Sequence, residues 1–397
     1  MSLSSGRDLF MTPGPSVMPD AVLNAMHRAA PNIYEGELIE TTDSIIADLK
    51  TIAGTTGQAA IYVSNGHGVW EATISNVLQP GDKVLVPATG RFAHGWANVA
   101  SQMGVSPEII EFGRETPIDA DQIESRLRED KLHEIKAVLV THTDTSTSVR
   151  NDILPIRHAI DAANHPALLM VDCVASFGCE RFEMDNWGVD IAITASQKGL
   201  MTPPGMAYVF FNDKAAKIAQ ATPKMSPYWD WELRVSGTFF YQKFFGTAPT
   251  HLLFAQRAAL DIMLAEGMET VWHRHHTFAK TIWAAVEAWG ENGPFRLNIQ
   301  DPAFRSNAVT TVQAQDTNCV PLRDWCTQQA GLTLGLALGF EGDEYGNGNN
   351  VFRIGHMGHL NPPMVLGALA TIDAGLKALG IPHGGGALQA ATKTIVL

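Results

Sequence analysis

From about residue 56 onward, short apolar runs alternate with stretches in which apolar residues recur at helical spacing. Residues 60–63 read as a strand. Gly66-His67-Gly68 then opens a helical pattern over 69–78, which Pro80-Gly81 stops. A strand at 83–87, a helix at 92–103 and a strand at 108–112 follow, and Asp119 caps a charged amphipathic helix. The strand at 137–140 ends in the polar string Thr141-His142-Thr143-Asp144-Thr145, and Asp152 opens the next helix. The run 167–171 is more apolar still and ends in Asp172. Residues 191–194 end at Ala195-Ser196-Gln197-Lys198, and 206–211 follow the turn Pro203-Pro204-Gly205. Such alternation builds βαβ units and a mostly parallel sheet. Continuous apolar runs suit strands covered on both faces. Three successive strands carry polar residues just past their C-terminal ends, where open α/β sheets bind ligands.

After about residue 255 the character changes. A long helical pattern from His251 towards Trp289 is interrupted near Gly267, and segments at 308–312, 321–329, 351–354 and 362–379 follow in β-α-β-α order. This predicts a smaller α+β domain, giving an N-terminal segment 1–20, a large domain 21–260 and a small C-terminal domain 261–397. The tail after His383, with three consecutive glycines, is expected to be peripheral.

Composition narrows the function. Lys+Arg 28 against Asp+Glu 41 gives a formal charge of -13 with no basic run, which argues against a nucleic-acid or anionic-membrane surface. No apolar stretch approaches the roughly 20 residues that span a bilayer, and MSLSSGRDLF lacks a signal-peptide pattern, so a cytoplasmic protein is expected. The four cysteines, Cys173, Cys179, Cys319 and Cys326, show no CxxC spacing, and His356 and His359 lack an acidic or cysteine partner in pattern. Neither a disulfide framework nor a metal site is expected.

Two readings of Lys198 stand side by side. Its stem can lie along the sheet with the ammonium in water. Alternatively the amine sits at a buried sheet end, which is costly unless it is paired, neutral or used covalently. Asp172 likewise either caps a loop or serves as an acid. An amine and a carboxylate at adjacent strand ends match what pyridoxal phosphate needs: a lysine for the Schiff base and an acid that keeps the pyridine nitrogen protonated. Gly66-His67-Gly68 lets backbone N–H groups approach a phosphate, although many such turns only connect a strand to a helix.

Together these residues resemble fold-type I pyridoxal-phosphate enzymes of the class V aminotransferase family, in particular its alanine/serine-glyoxylate branch. The landmarks are Thr12-Pro13-Gly14-Pro15, Asn65-Gly66-His67-Gly68 with Glu71, Val171-Asp172-Cys173-Val174-Ala175-Ser176, Ser196-Gln197-Lys198-Gly199, Pro203-Pro204-Gly205 and Arg353-Ile354-Gly355. The resemblance implies an α/β fold with a seven-stranded, mostly parallel sheet and pyridoxal 5'-phosphate as cofactor. It implies that Lys198 forms the Schiff base and moves the substrate's α-proton, and that Asp172 partners the pyridinium nitrogen. Thr145 is implied at the phenolic oxygen, and Asn65, Gly66, His67 and Gln197 at the phosphate. Phe92 stands where the family stacks an aromatic ring, commonly tryptophan. Arg353 is implied to clamp the α-carboxylate. Thr247 is implied to reach across a homodimer interface to the partner's phosphate, while Phe245 replaces a tyrosine usual nearby. Several glyoxylate-using relatives carry a His-Arg-Ser-Pro-like stretch where this chain has Pro31-Asn32-Ile33-Tyr34-Glu35-Gly36, so Tyr34 and Glu35 either line a differently shaped substrate entrance or only form a loop.

The leading expectation is ping-pong transamination from a small L-amino acid, serine or alanine, to glyoxylate or pyruvate. The alternatives are aspartate-glyoxylate or pyridoxamine-pyruvate transamination, a lyase or cysteine desulfurase on the same cofactor, and a non-catalytic pyridoxal-phosphate-binding protein. Asn65-Gly66-His67 retains the phosphate-loop pattern and speaks against the pyridoxamine-pyruvate branch. A desulfurase needs a mobile, accessible cysteine, and Cys319 and Cys326 fall in or beside a regular segment.

Overall fold

The computed structural model describes residues 2–340 and 349–396. Its strands are β1 (Leu9–Met11), β2 (Gln58–Tyr62), β3 (Lys83–Ala88), β4 (Ser106–Glu111), β5 (Ile135–Thr141), β6 (Leu168–Asp172), β7 (Ile191–Ala195), β8 (Ala207–Phe211), β9 (Arg296–Leu297), β10 (Val309–Gln313), β11 (Leu332–Leu334) and β12 (Val351–Gly355). A seven-stranded sheet has the order β2-β8-β7-β6-β5-β3-β4, in which only β8 runs against its neighbours. This is the mostly parallel sheet that the apolar runs predict, within a residue or two at each strand end.

The apolar runs are continuous because each face of the sheet is covered. Val138, Val140, Leu169 and Val171 belong to one core cluster, with Ile45, Leu49, Ile123, Ile156 and Leu253 from the helices Glu37–Ala53, Ala120–Glu129, Ile153–Ala162 and Thr250–Glu266. Their strand neighbours Leu139, Leu168, Met170, Ile191 and Ile193 point the other way, against Trp70, Ile74, Trp96 and Ala215 from Gly66–Val77, Arg91–Gln102 and Asp213–Ala221. Side chains alternate along a strand, so only a sheet packed on both faces needs every position apolar. Asn65, Asp119 and Asp152 accept backbone N–H bonds at the starts of their helices, which fixes where the strand-to-helix turns end.

A separate core gathers Phe278, Ile282, Trp289, Val312, Leu322, Phe352, Ile354 and Ile372 around the antiparallel sheet β12-β10-β9. Two features depart from the sequence reading. Leu9–Met11 forms a parallel pair with Leu332–Leu334 and buries Met11 in this core, a pairing across more than three hundred residues that no local pattern announces. The tail expected to be peripheral is the helix Ala387–Thr394, which buries Ala387 and Ala391 against the same core. Its contact residues are small alanines four apart, too weakly apolar to stand out beside the glycines. No helix among the described residues is long and apolar enough to cross a membrane.

Phe210 in β8 is fully buried and stacks on Phe177 with centroids 5.6 Å apart. Phe210→Ala is expected to cost about 3–5 kcal/mol, the range for emptying a packed aromatic site. Urea denaturation of the folded protein reads this, and a loss under about 1 kcal/mol would contradict the packing described.

Candidate active site

Because β2, β3, β5, β6 and β7 are parallel, the loops after their C-terminal ends lie at one edge of the sheet. They deliver Gly66, His67, Phe92, Thr143, Thr145, Asp172, Gln197 and Lys198 into one cavity of about 580 Å³. The opposite wall comes from Thr12–Gly14, the stretch 333–338 and Arg353. The structure thus brings together eight of the eleven predicted site residues. Asn65 stands just behind the rim, capping the helix whose first residues line the cavity: its Oδ1 accepts the His67 N–H at 3.1 Å and the Gly68 N–H at 3.4 Å. Thr247 and Tyr34 do not join them. They line a separate surface groove with Phe239, Phe240 and Tyr241, and Tyr34 is 84% exposed.

Asp172 closes β6 and is buried. The Trp70 indole Nε1–H donates to its Oδ2 at 2.9 Å, and the Val174 N–H donates to its Oδ1 at 2.8 Å. Burial pushes its carboxyl up to about 6, against the pull of those two donors and of Lys198, with Asp144 adding to the rise. Lys198 faces the cavity yet is surrounded by protein, and its Nζ donates to the Pro13 carbonyl. Burial and the nearby Arg353 cation bring its amine down to about 8, with Asp172 and Cys179 opposing. Gly14 lies across this lysine at φ +92°, and a Cβ there would stand 2.5 Å from Lys198 Cδ and 2.8 Å from Nζ. Only glycine accommodates both the left-handed backbone and the lysine.

Arg353, in the middle of β12, is 6% exposed. Its Nε donates to the Leu336 carbonyl and its Nη1 to the Thr145 carbonyl, both at 2.6 Å, which fixes the guanidinium plane at the cavity wall. The proton affinity of His67 is lowered by burial and then by the Lys198 and Arg91 cations. Its ring meets Trp70 edge-on at 4.6 Å, and Phe92 meets Trp70 at 6.4 Å, so three rings form one side of the site. Gln197 carries a buried amide oxygen with no hydrogen-bond partner among the described residues. Turned either way, this amide offers a ligand an oxygen or an N–H2 group.

Trp70 has a role the sequence reading passed over. Its signal is spacing: it stands four residues after Gly66 on the helix and so shares the face that Gly66 presents to the sheet end. All four cysteines are buried, and burial pushes the Cys319 and Cys326 thiols up to about 12, so neither is poised as a nucleophile. No cluster of potential metal ligands occurs among the described residues.

Chemically, the cavity offers a neutralisable amine, a buried acid with its own donors, an aromatic face, a capped helix start and an arginine fork. Such a donor set could hold a phosphorylated aromatic aldehyde together with a carboxylate. Residues 18–334 match the model of the family described as Aminotransferase class-V. The chain is 36% identical over 387 residues to the serine--glyoxylate aminotransferase of Methylorubrum extorquens, covering 95% of this chain and 92% of the relative. It is also 36% identical over 390 residues to the L-aspartate--glyoxylate aminotransferase of Paracoccus denitrificans, covering 96% and 93%. The crystal structure of ureidoglycine-glyoxylate aminotransferase from Bacillus subtilis superposes with a TM-score of 0.88 at 27% identity, covering 99% of each chain.

Two outcomes follow from the buried pair. The Asp172 carboxyl is raised above its unfolded value, so the stability it contributes is full below about pH 4 and is lost as pH rises through about 6. Trp70→Phe removes a donor to the charged form. It is therefore expected to lose about 1–3 kcal/mol at pH 7 and less at pH 5, where the acid is protonated; equal losses at both pH values would contradict the bond. The depressed Lys198 amine should react with trinitrobenzenesulfonate with a midpoint near pH 8, read by peptide mapping. A midpoint near that of an ordinary lysine, about 10.4, would contradict the burial described.

Proposed function

The chain belongs to the class V aminotransferase family, and from that premise we propose that it moves an amino group from serine or alanine to glyoxylate or pyruvate, with pyridoxal 5'-phosphate as cofactor. The observation that carries this reading is the meeting of Lys198, Asp172 and Arg353 in one cavity. When bound there, pyridoxal phosphate supplies a carbonyl that condenses with amines and a ring that accepts the electron pair of the broken Cα–H bond.

The cavity's own features fit this group. The buried Gln197 amide and the glycine-led helix start at Gly66 suit the phosphate. The Asp172 carboxyl, raised by burial, gains from a cationic ring nitrogen, at which it holds the proton. Phe92 offers a flat apolar face to the ring, and Thr145 a hydroxyl to its phenolic oxygen. Arg353 binds and orients the α-carboxylate of the amino acid and of the oxo acid. Lys198 Nζ, substantially neutral near pH 8, takes the proton from the substrate Cα and returns it, which a permanently charged amine could not do. The Trp70–His67–Phe92 ring cluster and the 333–338 stretch line the cavity with largely apolar surface.

The same reading pairs two copies of the chain. Thr247 and Tyr34 lie outside their own chain's cavity, in a groove whose rings include Phe239 at 60% and Tyr241 at 56% exposure, a surface suited to burial against a second copy. A second reading, with aspartate as donor, is favoured by the equal likeness to the Paracoccus relative. Comparing kcat/KM for L-serine, L-alanine and L-aspartate with glyoxylate separates the two.

Lys198→Ala is expected to abolish transfer while retaining the native circular dichroism spectrum; normal turnover would remove Lys198 from the mechanism. Arg353→Ala should raise KM for every α-carboxylate substrate, by about a hundredfold for a lost bidentate ion pair. An unchanged KM would assign the arginine to structure alone.

A further inference from the structure

The loop after β5 carries a buried carboxylate that the reaction does not use directly. Asp144 is fully buried. Its Oδ2 accepts the Phe92 N–H at 2.9 Å, and its Oδ1 accepts the Ser146 N–H at 2.9 Å and the Ser146 hydroxyl at 2.5 Å. Ser146 Oγ in turn accepts the Arg91 N–H at 3.0 Å. The helix Arg91–Gln102 begins at Gly90, which has no side chain to cap it. Its first two N–H groups are therefore satisfied by a different loop, the one that holds Thr145 between Asp144 and Ser146. The two loops are also joined beside this point, where Thr147 Oγ1 donates to the Thr89 carbonyl at 3.0 Å. Gly90 is the residue that permits the approach, since a Cβ there would stand 2.4 Å from Asp144 Cγ.

We propose that Asp144 is a positioning residue for the cofactor: one carboxylate locks the helix start that presents Phe92 and the loop that presents Thr145, and so sets the ring's stacking face and its phenolic contact together. This rests on the reading of Phe92 and Thr145 as cofactor contacts. The lock depends on a carboxylate that only accepts. An amide at the same place turns N–H2 either towards the Phe92 N–H or towards the Ser146 donors, leaving two donors facing each other in a buried site. The charge of Asp144 also reaches Asp172 and adds to the rise in that carboxyl's proton affinity.

The test is a mutant cycle in the full-length protein with pyridoxal phosphate as the probe, read by cofactor dissociation and by the visible circular dichroism of the bound cofactor. Asp144→Asn is expected to weaken cofactor retention about tenfold in the wild-type background. It should also reduce the dichroism per bound cofactor, which reports ring orientation rather than stability. In a Phe92→Ala, Thr145→Ala background, Asp144→Asn should add little. Equal losses in both backgrounds, or unchanged dichroism in the single variant, overturn the proposal while leaving the cofactor contacts standing. If Phe92→Ala, Thr145→Ala itself retains cofactor normally, the contact reading falls and the proposal falls with it. Should Asp144→Asn fail to fold, Ser146→Ala, which removes the link to Arg91, takes its place in the cycle with a smaller effect of the same pattern.

Discussion

An amine and a carboxylate buried at the ends of neighbouring parallel strands are the constraint on which the site depends. Each is disfavoured in its charged form, and the protein answers with fixed partners, Trp70 and Val174 on Asp172 and the Pro13 carbonyl on Lys198, while the Arg353 cation pushes the Lys198 amine further towards neutral. Burial of this kind moves both groups towards neutral pH, where an acid and a base can exchange protons without large energetic steps. The sheet supplies the geometry. Its two covered faces hold β6 and β7 in register, which places Asp172 at the end of β6 and Lys198 three residues past the end of β7, on adjacent strands.

The second half of the site is imported. Thr12–Gly14, 333–338 and Arg353 belong to elements that pack with the smaller core, and they meet the sheet end through specific bonds. Ser16 donates from its N–H to the Gln197 carbonyl at 3.0 Å and from its hydroxyl to the Lys198 carbonyl at 2.7 Å, while Arg353 reaches the Thr145 carbonyl. The carboxylate fork and the reactive amine are thus each tied to backbone from the opposite wall of the cavity. Any relative movement of the two cores would be felt at the cavity first.

Much of this was legible in the chain, for stated reasons. Unbroken apolar runs read as doubly covered strands because alternation disappears only when both faces are buried, and Asp172 and Lys198 stood out together because an acid and an amine at adjacent strand ends match one chemistry, although the position of either alone left a bland reading open. The helix starts at Asp119 and Asp152 were readable from side-chain chemistry alone. Contacts between distant segments were not readable. Met11 against Leu334, the cap of Arg91 and Phe92 by Asp144 and Ser146, and the Trp70–Asp172 bond join residues far apart in the chain, and local spacing assigns a residue to a face without naming the distant residue it meets. The tail helix was missed because alanines bury little surface each.

On the proposed function, the cavity performs one half of an amino transfer and then waits for an oxo acid. The most direct measurement is a single addition of L-serine to the pyridoxal-phosphate-loaded protein with no oxo acid present, following the visible spectrum and the product released. One equivalent of 2-oxo acid per site is expected, with complete conversion of the cofactor's absorption and no further turnover until glyoxylate is added. Continuous release of pyruvate and ammonia would make the protein a lyase, and no spectral change with L-serine, or with L-alanine or L-aspartate in its place, would leave Lys198 and Asp172 without the chemistry assigned to them.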